Sequence, residues 1–192
     1  MVEDISIRYL SMLQPIGGAG AACERLPTAP GVYAWFRNLR IQGNSTTEFV
    51  DSLVNAIEAP AAPQHQARVG LLHHVTLDAR SELSLTKRER LEPLARDSRF
   101  REHMVRLLDA AAVLQAPLYV GKARNLRVRV QQHLIPTSDL SRRLREAGVD
   151  IRTCNLAYAV LDDDYLEDDQ TLTLIEEIIT RICRPGFVLR PG

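Results

Sequence analysis

The sequence predicts an α+β fold in which helices flank a small three-stranded sheet, mixed or antiparallel, with a mostly helical insertion at about residues 43–115. Three segments support this prediction. Residues 31–36 and 118–120 are rich in β-forming side chains, and residues 151–161 alternate well enough for a third strand. A chain of 192 residues is long enough for one domain with its own core, so we expect a single domain spanning 1–192.

The amino-terminal segment is predicted to be helical. Its apolar residues between positions 5 and 13 recur at roughly helical spacing, and Gly17, Gly18 and Gly20 follow as a flexible loop. The first strand, at 31–36, comes after this loop.

The insertion carries signals for helix starts. Ser45 and Glu48 form a capping box for a helix that runs to about Glu58, and Ser98 is predicted to cap a helix that runs to about Leu114. Basic and acidic residues interleave along its second half. Such mixed charge is typical of a solvated helix face, and DNA contact is the alternative interpretation.

The stretch 116–134 is predicted to form a strand, a turn and a helix. Gly121 and Lys122 should end the strand, and Asn125 should cap the helix. The apolar residues of that helix recur every four positions, as Leu126, Val130 and Leu134.

This helix brings two polar side chains to one flank. Arg129 and His133 lie one turn apart beside the apolar stripe. We therefore expect Tyr119, Lys122, Arg129 and His133 to converge on one concavity.

The distribution of charge matters more than its total. The formal net charge is zero, so positive charge for a polyanion must be local. Between positions 122 and 152 the chain has eight Lys or Arg and three Asp or Glu. Phosphate binding would require such a local excess.

Sequence patterns also predict where the protein is located in the cell. No apolar run approaches the roughly 18 residues that a membrane span needs, and the start of the chain lacks a basic and then apolar signal pattern. We expect a soluble, cytoplasmic protein with no membrane partner. The three cysteines lack any Cys-x-x-Cys spacing, which predicts buried free thiols and neither a disulfide framework nor a zinc site.

The last predicted helix points one carboxylate inward. Leu172, Ile179 and Cys183 share a face with Glu176, whereas Glu177 points away. An inward carboxylate requires a cation. The residues alone leave open whether this cation is a basic side chain, such as Arg129, or a metal ion.

The order of these residues resembles the GIY-YIG nuclease family. Gly31-Val32-Tyr33 is followed by Tyr119-Val120-Gly121-Lys122, with an arginine ten residues after the second tyrosine and a histidine four residues further on. Glu176 matches the family's glutamate on a later helix. The phrase before Tyr33 and the closing Arg-Pro-Gly-Phe are similar to UvrC-type repair nucleases.

The resemblance implies a divalent-metal-dependent endonuclease that hydrolyses DNA phosphodiester bonds. Glu176 would hold one divalent cation, Mg²⁺ or Mn²⁺, and Arg129 would bind the phosphate. Tyr119 would activate water, with Lys122 supplying the positive charge that its pKa requires. The catalytic set is Tyr33, Tyr119, Lys122, Arg129, His133 and Glu176. The expected DNA contacts are Lys122, Arg124, Arg127, Arg142 and Arg143.

Two features depart from the family pattern. Tyr33 and Tyr119 lie 86 positions apart, whereas the family usually has a short link. Phe187 is followed by Val188, where the family usually has an asparagine. These departures keep open the alternative of a catalytically impaired module that binds DNA or protein.

The small size of the chain bears on its biological role. The resemblance is compatible with a restriction or phage-defence nuclease, or with a DNA-repair nuclease. One site cuts one strand at a time, so a double-strand break would require a homodimer or two encounters.

Overall fold

The computed structural model of the chain describes residues 6–12, 17–39, 41–58, 65–69, 73–77, 83–161 and 169–186. The chain divides into two compact units. The first comprises Met1–Asn38 with Gln115–Gly192, and the second comprises Leu39–Leu114. The second unit covers nearly the same residues as the predicted insertion.

The helices and strands are, in chain order, β1 (Ile7–Ser11), α1 (Gly18–Glu24), β2 (Gly31–Phe36), α2 (Thr46–Glu58), β3 (His65–Val69), β4 (His73–Leu77), α3 (Leu85–Ala95), α4 (Ser98–Ala110), β5 (Tyr119–Ala123), α5 (Leu126–Leu134), α6 (Asp139–Glu146), β6 (Asn155–Val160) and α7 (Asp169–Cys183). Short 3₁₀ helices span Ala111–Leu114 and Ile151–Thr153. No helix among the described residues combines the length and the apolar composition that a membrane span requires.

The sheet of the first unit has four antiparallel strands in its described part, in the order β1-β6-β2-β5. The α+β class is therefore confirmed, whereas the predicted count of three strands is wrong. The additional strand is β1, which lies in the segment predicted to be helical. It pairs with β6 from Ile7 opposite Ala159 to Ser11 opposite Asn155. This pairing overrides the weak helical spacing of the segment.

Strand β5 is longer than predicted. Gly121 and Lys122 stay within the strand and pair with β2, where Gly121 lies opposite Tyr33. A Cβ atom at position 121 would lie 2.5 Å from the hydroxyl oxygen of Tyr33. Glycine therefore makes room for a tyrosine ring here and does not end the strand.

One face of the sheet packs against α1, α5 and α6 to form the core of the first unit. Trp35 and Leu156 contribute from the sheet, and both are fully buried. Leu126 and Val130 of α5 and Leu144 of α6 are equally inaccessible to solvent. The apolar stripe predicted for α5 thus anchors that helix to the sheet.

Local capping fixes the bounds of α5 and α6. The side chain of Asn125 accepts a hydrogen bond from the amide of Val128 at 3.1 Å, as predicted. Ser138 caps α6 in the same way, through the amide of Ser141. Gly148 follows α6 with φ of 73°, a left-handed conformation that favours glycine at the end of a helix.

The second unit contains α2, α3 and α4 with the antiparallel hairpin β3-β4. The amide of Glu48 donates to the Ser45 hydroxyl at 3.2 Å, in agreement with the predicted cap of α2. The cap of α4 is Asp97, so the prediction of Ser98 was wrong by one position. Buried Arg101 donates to the carbonyl oxygens of Gly43 and Ala95, which ties the start of this unit to the end of α3.

Replacing Gly31 by alanine should destabilise the first unit. A Cβ atom there would lie 2.3 Å from the carbonyl oxygen of Ala159 and 2.8 Å from Cδ1 of Leu126. Because β2-β6 pairing holds that carbonyl in place, we expect a loss of about 1–3 kcal/mol in the free energy of unfolding, measured with urea.

The matched control is Gly20→Ala. Gly20 lies in α1, and a Cβ atom there would meet no atom within 4 Å. Alanine should stabilise this helix by up to about 1 kcal/mol. Equal stability of the parent and Gly31→Ala would contradict the packing described for Gly31.

Candidate active site

Two tyrosines lie side by side on neighbouring strands. Tyr33 on β2 faces Gly121 across the β2-β5 pair, and Tyr119 on β5 faces Trp35. Residues two apart on a strand share a face, so both tyrosine rings lie on the side of the sheet that packs against α5. The ring centroids are 6.2 Å apart, and both side chains are buried.

Helix α5 brings His133 onto these rings. The His133 ring centroid lies 5.7 Å from that of Tyr33 and 5.5 Å from that of Tyr119. The Tyr33 hydroxyl lies 2.6 Å from Nε2 of His133. Burial, and then Arg129, lower the pKa of His133 to about 4, while burial raises the pKa of Tyr33. A protonated phenol and a neutral imidazole therefore share this hydrogen bond, and the tautomer of His133 sets its direction.

Arg129 lies one helical turn before His133 and acts on both tyrosines. Burial lowers the pKa of the Arg129 guanidinium, but Tyr33 and Tyr119 raise it more, so its net pKa shift is upward. Its Nη1 atom also donates to the side-chain oxygen of Gln132 at 3.2 Å. The expected convergence of Tyr119, Arg129 and His133 is thus present, with Tyr33 beside them.

Helix α7 brings the side chains of Thr173 and Glu176 to β5, the edge strand of the sheet. It packs against β5, and the Nζ of Lys122 donates to the Thr173 hydroxyl. Glu176 follows one turn later on α7 and is half-buried. Burial raises the pKa of its carboxyl group, while Lys122 and Arg129 partly offset this shift. Lys122 and Arg129 are therefore both near enough to act on the Glu176 charge, although no ion pair joins either of them to it among the described residues.

The surroundings of Tyr119 differ from the expectation in one respect. Burial, followed by the charge of Glu176, raises the pKa of Tyr119, and Arg129 is the cation that lowers it. The sequence predicted that Lys122 would lower the pKa of Tyr119. The guanidinium is the better placed cation because it lies on the helix that packs over the tyrosine rings.

The residues fit a single divalent cation held by one carboxylate. In the described part of the chain, no ion pair joins Arg129 to Glu176, so the structural salt bridge that the sequence left open as an alternative is absent. The described residues also contain no cluster of three or more His, Cys, Asp or Glu side chains that could hold a metal. Mg²⁺ often binds through one or two carboxylates, with water and substrate phosphate as its other ligands. Glu176 is suited to such a site.

The predicted DNA contacts do not all belong to this group. Arg127 donates through Nε to the carbonyl of Leu26 at 2.8 Å, which fastens α5 to the loop before β2. Arg142 pairs with Asp139 and Glu146 on α6, and Arg143 also pairs with Asp139.

The other two predicted DNA contacts are Lys122 and Arg124. Lys122 is next to Glu176. Arg124 is exposed between β5 and α5. The family asparagine position, Val188, lies outside the described residues.

Two partners in the site were not predicted from the sequence. Thr173 accepts from Lys122, and Gln132 accepts from Arg129. Each lies three residues from a predicted site residue on the same helix. Helical spacing could therefore have identified both as neighbours.

Comparison with protein-family models, with curated proteins and with solved structures finds no match to this chain. The function must therefore be inferred from the chemistry of the site.

The buried His133 should make the protein sensitive to acid. The folded pKa is about 4, whereas an unfolded histidine titrates near 6.5. Between these values the unfolded chain binds a proton that the folded protein does not. Stability should therefore fall by up to about 3 kcal/mol as the pH drops from about 6.5 to about 4.

Urea unfolding across this pH range, in parent and His133→Gln, measures the contribution. The variant should show a shallower loss of stability with acidification. The His133 pKa can also be read directly from ring ¹³C shifts in an NMR titration. Equal pH slopes, or a measured pKa near 6.5, would contradict the buried neutral histidine.

Proposed function

We propose that this chain is a divalent-metal-dependent endonuclease of the GIY-YIG type, which hydrolyses phosphodiester bonds in DNA. The observation that carries the proposal is the convergence of Tyr33, Tyr119, Arg129 and His133, with the half-buried Glu176 facing the same group. The chain thus supplies a phenol, an imidazole, a guanidinium and a carboxylate in one place, which is the set that phosphodiester hydrolysis can use.

Arg129 is the residue suited to bind the phosphate. Its guanidinium is planar and permanently charged, and its donors match phosphate oxygens in pairs. It is partly buried beside the two tyrosines, where a fixed charge acts more strongly than it would in water. In the transition state, hydrolysis adds negative charge to the phosphate oxygens, and Arg129 would stabilise this charge.

Tyr119 is the candidate base that activates water. Its pKa is raised by burial and then by Glu176, so the phenol carries its proton in the free protein and must lose it to solvent before the phenolate can accept a proton from water. Neutralising the Glu176 charge would lower this pKa, because one of its two upward causes would be removed. The Tyr33 hydroxyl is hydrogen-bonded to Nε2 of His133, and the imidazole contacts both tyrosine rings, so it would orient the pair and offer a site for a proton.

Glu176, with Lys122 beside it, is the group that would hold the divalent cation. Such an ion, Mg²⁺ or Mn²⁺, would act as a Lewis acid on the scissile phosphate and the departing oxygen. The upward shift of the Glu176 pKa supports this role, since Lys122 and Arg129 leave part of the burial cost of this carboxylate uncompensated.

DNA is the proposed substrate because the chain has a local excess of positive charge between positions 122 and 152, with eight Lys or Arg against three Asp or Glu. A single site would nick one strand, and a homodimer would be needed to cut both strands in one encounter. A module that only binds DNA would share the salt-sensitive affinity. Cleavage is the property that separates the two functions.

Cleavage of supercoiled plasmid with Mg²⁺ tests the proposal. The parent should nick or linearise the DNA, and Glu176→Gln should lower the rate at least about a hundredfold because the cation loses its carboxylate. Tyr119→Phe should cause a comparable loss, since it removes the base but keeps the ring.

Glu177→Gln is the matched control for the carboxylate. Glu177 is on the same helix but is exposed and paired with Arg181, so this variant should cut like the parent. If the folded parent binds DNA but cuts neither DNA nor RNA with Mg²⁺ or Mn²⁺, the enzyme function is wrong and the binding module is favoured.

A second prediction concerns the geometry of the phosphate contact. Arg129→Lys keeps the charge but loses the planar pair of donors, so kcat should fall by about 10²–10³. Single-turnover cleavage measures this effect. Arg181→Lys, an exposed arginine on α7, should leave the rate within about twofold of the parent. An unchanged rate for Arg129→Lys would exclude paired phosphate binding by Arg129.

A further inference from the structure

Lys122 and Thr173 link the edge strand of the sheet to the last helix. The ammonium group of Lys122 on β5 donates to the hydroxyl of Thr173 on α7. Thr173 lies three residues before Glu176, so both side chains lie on neighbouring positions of one helix face. The bond therefore holds the ammonium on the side of α7 that carries Glu176, where its charge lowers the pKa of that carboxyl group without an ion pair between these two described residues.

We infer that Thr173 is a positioning residue, which fixes the Lys122 ammonium beside Glu176 for the reaction. The inference rests on the proposed function for its catalytic consequence. The contact itself can be tested without cleavage. No role was assigned to Thr173 from the sequence, because its pairing with Lys122 arises only when α7 packs against β5.

A lysine in this position needs such an anchor. Its ammonium group sits on a flexible four-carbon stem, and fixing that stem costs rotamer entropy. Lys122 is only half-buried, so packing alone does not hold it. One of its three N–H donors is used by Thr173, which leaves donors for a carboxylate or a phosphate oxygen.

The anchor also fixes α7 against the sheet. Just beyond the carboxyl end of α7, the amide of Gly186 donates to the carbonyl of Pro117 at 3.0 Å. Thr173 and Lys122 supply a second link, near the amino-terminal half of the helix. Glu176 lies between these two links, so its position relative to β5 is set on both sides.

The composition of the chain makes the contact easy to observe. Lys87 and Lys122 are its two lysines, so a protein labelled with ¹⁵N-lysine has two side-chain Nζ signals. Lys87 is exposed on α3 and provides an internal reference. Nuclear relaxation of the two ammonium groups reports their mobility on the picosecond to nanosecond timescale.

We expect the Lys122 ammonium to be less mobile than that of Lys87 in the parent and in Thr173→Ser, which keeps the hydroxyl. In Thr173→Val, which has a similar shape but no acceptor, Lys122 should become as mobile as Lys87. Thr180→Val makes the same change further along α7 and should leave Lys122 restrained. Equal mobility of the two lysines in the parent, or an unchanged Lys122 in Thr173→Val, would overturn the inference.

Cleavage kinetics test whether the anchor serves the reaction. Thr173→Val should lower kcat by about three- to tenfold with KM within twofold, and Thr173→Ser should restore most of the rate. In a Lys122→Met background, Thr173→Val should have no further effect. If Thr173→Val lowered kcat by the same factor in that background as in the parent, the inference would be overturned, because Thr173 would then act without Lys122.

The two proposals fail in different ways. A parent that does not cleave DNA would refute the endonuclease while the NMR comparison still decides whether Thr173 restrains Lys122. A parent that cleaves, with Lys122 mobile in every variant, would refute the positioning role alone.

Discussion

The pairing of β2 with β5 is the constraint on which the candidate site depends. It places the ring of Tyr33 over Gly121, where a side chain would collide with the tyrosine hydroxyl. The two strands come from segments separated by the whole of residues 39–114, which form their own compact unit. Sequence distance therefore does not disrupt the site, because an antiparallel ladder needs only that the two strands meet in register.

Helix α5 places two polar side chains, Arg129 and His133, beside the tyrosines of the sheet. Its buried apolar stripe fixes the rotation of the helix, and that rotation determines where Arg129 and His133 point. Burial then shifts the pKa of each titratable group in the direction that favours its neutral form. The tyrosines hold their protons, and His133 stays uncharged down to acidic pH. Arg129 supplies a fixed positive charge within this neutral environment.

The edge of the sheet supplies the remaining charges. Strand β5 has no further neighbour in the described sheet, and α7 packs against it. Lys122 and Glu176 both lie there, with Thr173 as the side chain that joins strand and helix. This part of the molecule combines a buried group on the sheet with a more exposed edge. The proposed polymeric substrate would require such access, and burial would hold the proposed reacting groups in place.

The sequence by itself determined the features that arise from local interactions. Asn125 caps its helix as predicted, and the spacing of Arg129 and His133 placed both on one flank of α5, because capping and helical periodicity involve residues only a few positions apart. Only the tertiary structure decided the fourth strand, the passage of β5 through Gly121 and the contact of Lys122 with α7. Each of these depends on segments distant in the chain, whose meeting is set by strand pairing and by packing of the core.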